Sequence, residues 1–159
     1  MKLFKNFKVV LLAMFMIGGA QILSAQEVGV RFGNSIGSNV ALDAVFNAGK
    51  FSRIHADLAF GHGVGVEGLY DFIYRPLGGE AFRWYMGVGL GAFFPANNWE
   101  YKHGWGNDFM FGFPAEIGLE YKFKSLPIAI GVDWRPMLVL VSKTDFYSRG
   151  FGCNVRFCF

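Results

Sequence analysis

The chain has 159 residues, 53% of them hydrophobic, 18% aromatic and only 17% charged, too apolar for a disordered segment and too weakly charged for a typical nucleic-acid binder. Its 19 Phe, 22 Gly and only 5 Pro point to one β-rich domain rather than a helical bundle. Three of the 15 basic residues, Lys2, Lys5 and Lys8, precede the first apolar run, and the remainder balance the 12 acidic ones, so neither nucleic acid nor an acidic substrate is expected as a partner.

Met1 to Lys8 is basic, Val9 to Ala20 is uncharged and mainly apolar, and Gln21 to Ala25 ends in a small residue ahead of Gln26 and Glu27. That order reads as a secretory signal peptide. A helical membrane anchor needs about 20 apolar residues, and the Gly18-Gly19 pair and Gln21 cut this run short. Cleavage is expected after Ala25, leaving residues 26–159 as a single exported domain. The apolar run is not followed by a Cys, so no lipid anchor is expected, and beyond Ala25 no apolar run is long enough for a membrane helix.

The remaining chain alternates with period two, as half-buried strands do. Val28, Val30 and Phe32 oppose Gly29, Arg31 and Gly33; Val40, Leu42, Ala44 and Phe46 flank Asp43; Ile54, Ala56, Leu58 and Phe60 flank Arg53, His55 and Asp57. Val64, Val66, Gly68, Tyr70, Phe72 and Tyr74 oppose Glu67 and Asp71, and Phe82, Trp84, Met86, Val88, Leu90 and Ala92 oppose Arg83, Tyr85 and three glycines. The longest run sets Phe109, Phe111, Phe113, Ala115, Ile117, Leu119 and Tyr121 against Met110, Gly112, Pro114, Glu116, Gly118, Glu120 and Lys122. Ile128 to Arg135 repeats the pattern with Asp133 on the polar face, and Phe151 to Phe159 closes the chain around Asn154 and Arg156. Eight strands are predicted.

Strands in soluble proteins run about 5 to 6 residues, whereas several here reach ten or more, which suits tilted strands crossing a membrane. Alternation alone does not separate a lipid-facing wall from a soluble sandwich; strand length, aromatic load and export favour an eight-stranded antiparallel up-and-down transmembrane β-barrel. With both termini on the periplasmic side, the longest external loops are predicted at Pro95 to Asn107 and at roughly Met137 to Ser148. The two cysteines, Cys153 and Cys158, lie on one strand about 16 Å apart at about 3.3 Å per residue, too far to bridge. Neither has a nearby His at ligand spacing, and no metal or other cofactor is expected.

In this pattern the sequence resembles the small eight-stranded outer-membrane barrels of the OmpX and OmpA-transmembrane-domain type over essentially all of 26–159. The end of the chain, with Phe157 and the terminal Phe159, resembles the signal by which the barrel-assembly machinery recognises such proteins. Gly118 to Phe123, followed by a turn and Ile130 to Arg135, is similar to paired strands of the generic outer-membrane barrel domain. The resemblance implies outer-membrane lipid as surroundings and a monomer; an OmpA-like peptidoglycan-binding function is not expected.

At eight strands the interior is just wide enough for side chains to fill it. The predicted inward charges Arg31, Arg53, Asp57, Glu67, Asp71, Arg83, Glu116, Glu120, Asp133, Arg135 and Arg156, with Asp43 and Lys122, nearly cancel and are expected to form a salt-bridged plug, Arg135 pairing with Glu116. Trp99, Tyr101, His103 and Trp105 form either the external aromatic girdle or a contact surface for an unidentified ligand. His62, His103, Ser35, Ser148 and Asp145 are the candidates for a lipid A-modifying centre, but no His-x-Ser spacing occurs, and no catalytic set is expected. The expectation is a non-enzymatic envelope protein with a structural or surface-interaction role; the alternatives are a lipid A-modifying enzyme, a small-solute channel and a soluble lipocalin-like carrier.

Overall fold

The structure, a computed structural model, describes residues 26–35, 37–96, 109–141 and 144–159. Alternating large apolar and small or polar residues separate onto the two faces of a pleated strand, and the chain extends wherever that alternation holds. Ten strand segments result: β1 (Glu27–Ser35), β2 (Ser38–Gly49), β3 (Ser52–Gly61), β4 (Gly63–Pro76), β5 (Phe82–Pro95), β6 (Met110–Lys122), β7 (Ile128–Trp134), β8 (Met137–Val141), β9 (Asp145–Tyr147) and β10 (Phe151–Cys158). All pairings are antiparallel. β1 to β6 pair in chain order, β6 continues to both β7 and β8, β8 pairs with β9, and β10 pairs with β7 and returns to β1. Because β7 and β8 form one wall strand and β9 and β10 another, the sheet is a closed eight-stranded, up-and-down antiparallel barrel.

The seventh wall strand breaks at Arg135-Pro136, where proline has no amide hydrogen to give to the ladder. Backbone bonds on both sides keep the wall intact: Ala115 N donates to the Pro136 carbonyl at 2.9 Å and Arg135 N to that of Gly150 at 2.7 Å. The expected long loop from Met137 to Ser148 is mostly wall instead. Met137 pairs with Tyr147 and Val139 with Asp145, leaving residues 142–144 as the connection. The run Met-Leu-Val-Leu-Val is apolar on both faces and therefore shows little alternation, yet it buries Met137 and Val139 inside while Leu138, Leu140 and Val141 face outward.

A second correction concerns Tyr74. The ladder between β4 and β5 shifts register between Asp71 and Ile73, so Phe72 is a bulge residue and the faces exchange beyond it. Tyr74, predicted outward with Tyr70 and Phe72, is buried inside opposite Tyr85.

Turns at 50–51, 77–81 and 123–127 lie at the same end as Glu27 and Cys158; the strand ends that flank the connections at 36–37, 62, 96–109 and 142–144 lie at the other. Gly37 turns with φ +69, and the Phe93 ring occupies the space a side chain there would need. The third connection includes Trp99, Tyr101, His103 and Trp105, which lie outside the described residues, as does the 1–25 segment.

Candidate functional site

Closure of the barrel brings inward side chains from every wall strand into one lumen, and many of them are charged. Register sets the neighbours: Asp43 lies opposite Asp57, Asp57 opposite Glu67, Arg53 opposite Asp71, and Asp71 opposite Gly87, which in turn faces Glu116. Eight acids (Glu27, Asp43, Asp57, Glu67, Asp71, Glu116, Glu120, Asp133) and six bases (Arg31, Arg53, Arg83, Lys122, Arg135, Arg156) point into this space; Arg83, Glu67 and Lys122 are half-buried and the others buried.

At the end that carries the termini, Glu120 is the hub. It accepts from Arg53 Nη1 at 2.9 Å and from the Tyr74 hydroxyl at 2.8 Å, and it also accepts from Arg156 Nη2. Arg156 ties three strands together, reaching Glu27 at 3.0 Å and Asp43 at 2.9 Å besides Glu120. Lys122 donates to Glu27. Arg53 completes the layer by donating to Asp71 at 2.7 Å, its guanidinium lying 4.2 Å from the ring centroids of both Tyr74 and Tyr85. Arg83 sits 5.0 Å from the Tyr74 ring.

Further along the lumen Arg135 is the second hub. Its Nη1 donates to Asp57 at 2.5 Å, its Nε lies 3.0 Å from Glu116, and Glu67 and Asp133 each stand 3.7 Å away. Arg31 grips Asp133 through Nε at 2.9 Å and Nη2 at 2.5 Å and donates to Ser35 Oγ at 3.2 Å. The Arg31 guanidinium fills the space over Gly152, where a Cβ would collide with it. Asn154 adds a 3.1 Å bond to Asp133.

The loop end is chemically different. Phe93, Met110, Met137 and Val139 form a buried apolar cluster, with Tyr147 packed against it. Charges removed from water are costly unless paired and hydrogen-bonded, and the described lumen charges meet that condition largely by dense pairing, with the apolar cluster lying beyond them at one end.

Sequence reasoning placed the eleven principal lumen charges on the inward face, and the structure brings ten of them into ion pairs, Arg83 being held by a ring contact. It missed Glu27, which lies two residues past the expected cleavage point and ahead of the first alternating run, and Tyr74, hidden by the bulge. Tyr85 and Asn154 carried the right periodicity but were not weighed as network members. Among the residues weighed for catalysis, Ser35 is engaged by Arg31, Ser148 lies in the break between β9 and β10 with its carbonyl accepting from Trp134 at 2.7 Å, and His62 sits in the one-residue connection between β3 and β4. Cys153 and Cys158 are unpaired thiols. Phe157 and Phe159 are exposed, with ring centroids 5.2 Å apart.

Comparison of the chain with protein-family models, with curated proteins and with solved structures finds no match.

Proposed function

We propose that this chain is an integral outer-membrane β-barrel with a structural or surface-interaction role, exported through a signal peptide cleaved after Ala25, non-enzymatic and with a lumen plugged by its own side chains. The observation that carries the reading is the inverted distribution of polarity. The largest fully buried side chains include Arg31, Arg53 and Arg156, whereas Leu42, Val88, Leu90 and Val132 are each 51–53% exposed on the outer wall. In water that arrangement is unfavourable, because about 25 cal/mol is lost for each Å² of apolar surface left wet. In a bilayer the same wall is matched to its surroundings, and the closed ladder leaves no unpaired strand edge in hydrocarbon.

The rival roles find less support. A lipocalin-like carrier needs an apolar cavity, and this lumen is filled with charge. A channel needs a continuous polar path, and the Phe93, Met110, Met137 and Val139 cluster obstructs one end. Outer-membrane lipid and the barrel-assembly machinery are the partners this reading requires, and a monomer suffices.

Membrane fractionation followed by electrophoresis of boiled and unboiled samples tests it. Recovery in the outer-membrane fraction, with a migration shift on boiling, is the expected result; recovery as a soluble protein without detergent overturns the membrane assignment.

A further inference from the structure

Barrel closure gathers buried carboxylates around a single imidazole. His55, fully buried on β3, presents Nε2 to Asp71 Oδ2 at 3.4 Å and Nδ1 to Glu116 Oε1 at 3.5 Å. One ligand atom from each of His55, Asp71 and Glu116 lies within 4.8 Å of the other two. The three residues come from β3, β4 and β6, so nothing in their sequence spacing announces the cluster. Gly87 on β5 stands between Asp71 and Glu116 in the ladder, and a Cβ at that position would collide with Asp71 Oδ1. Its bare backbone is what lets the two carboxylates converge.

These groups have unused bonding capacity. His55 Nε2, Asp71 Oδ1 and both oxygens of Glu116 are buried without a hydrogen-bond partner, although buried polar atoms are nearly always bonded to protein, water or an ion. Arg135 Nε faces Glu116 at 3.0 Å as an ion pair but does not satisfy its oxygens. The charge of the lumen points the same way: with every acid and base of the network ionised, its eight acids exceed its six bases by two negative charges.

We propose that His55, Asp71 and Glu116 form a buried divalent-metal site that takes Zn²⁺ or a similar first-row ion through His55 Nε2 and one oxygen of each carboxylate. Mixed imidazole and carboxylate donors suit such ions. Asp71 Oδ2, 3.4 Å from Nε2, already accepts from Arg53 at 2.7 Å, which leaves the unpartnered Oδ1 as the oxygen Asp71 would offer. A divalent ion also cancels the two excess charges. Arg135 Nη2 lies 3.1 Å from His55 Nδ1, and because a guanidinium only donates, the ring proton resides on Nε2 in the metal-free state. Loading shifts that proton to Nδ1 and breaks its contact with Arg135 Nη2.

The test uses untagged full chain carrying Cys153→Ser and Cys158→Ser, so that no thiolate competes, purified in whichever fraction holds the folded barrel. Fold is checked by the boiling shift, and metal is counted by mass spectrometry after refolding in excess Zn²⁺ and desalting. The expected content is about one zinc per chain, falling at least about tenfold in His55→Gln and Glu116→Gln. Folded parent protein that retains no zinc, or a folded His55→Gln variant that retains a full equivalent, overturns the site. If neither variant folds, Co²⁺ loading of the parent decides: intense visible absorption displaced by Zn²⁺ supports the site, and the spectrum of aqueous Co²⁺ overturns it. Because the count is made on the folded barrel from either fraction, failure here is distinct from failure of the membrane assignment.

Discussion

The guanidinium of Arg53 lies 4.2 Å from the ring centroid of Tyr85, a fully buried aromatic at the middle of the lumen. A cation over an aromatic face in a desolvated site is stabilised by about 2 kcal/mol or more. Tyr85→Leu is therefore expected to lower the unfolding free energy by about that amount, while Tyr85→Phe, which retains the ring, costs about 1 kcal/mol or less through the weak 3.5 Å bond from Asn154. Urea titration of the folded protein, followed by tryptophan fluorescence, separates the two. Equal losses for both variants would show that the hydroxyl, and not the ring, is what matters.

Arg31 and Asp133 pair through two guanidinium nitrogens with both side chains removed from water. Arg31→Met leaves Asp133 as a buried carboxylate short of its main partner and is expected to cost about 3–5 kcal/mol. Removing both charges, in Arg31→Met with Asp133→Leu, is expected to cost less than the single change, since the penalty belongs mainly to the stranded charge. The same urea titration measures both. A double variant less stable than the sum of the singles contradicts this account of the lumen.

Val88 stands 53% exposed on the outer wall between Tyr70 and Ala115 of the adjoining strands. In a bilayer, arginine on the lipid face near mid-depth costs about 2–4 kcal/mol. Val88→Arg should then lower the stability of protein folded into lipid vesicles by that amount. A wall facing water would tolerate the change or gain from it, so an unchanged or raised stability counts against lipid contact at this position.

Much of the architecture was legible because alternation is a local property. Phe109 to Lys122 keeps its two faces distinct for a whole strand, and the pleat converts that order directly into inside and outside. Tyr74 was misplaced because a bulge inverts the faces without leaving a mark in the residues around it. Met137 to Val141 looks like loop in the sequence because a strand apolar on both faces has no period to detect, its inward half lying in the buried apolar cluster. The pairing of Arg135 with Glu116 could be anticipated from consecutive strands, whereas His55 meeting Asp71 and Glu116 depends on the barrel's curvature and on the missing side chain of Gly87. Glu27 was overlooked for a different reason: its partners Arg156 and Lys122 lie near the opposite end of the chain, and only closure brings them to it.

That last contact also bears on the order in which the wall can be built. Glu27 and Arg156 are separated by 129 positions in sequence, and β1 gains its second neighbour only when β10 is in place. Each hairpin from β1 to β6 needs only neighbouring segments, but the ring cannot close before β10 has joined β1. Bringing such distant segments together is slow relative to local pairing, and until it happens two raw strand edges and several unneutralised lumen charges stay uncovered. The partly assembled sheet is therefore most vulnerable just before closure, and shortening the chain within β10 should leave an open, adhesive sheet in place of a slightly smaller barrel.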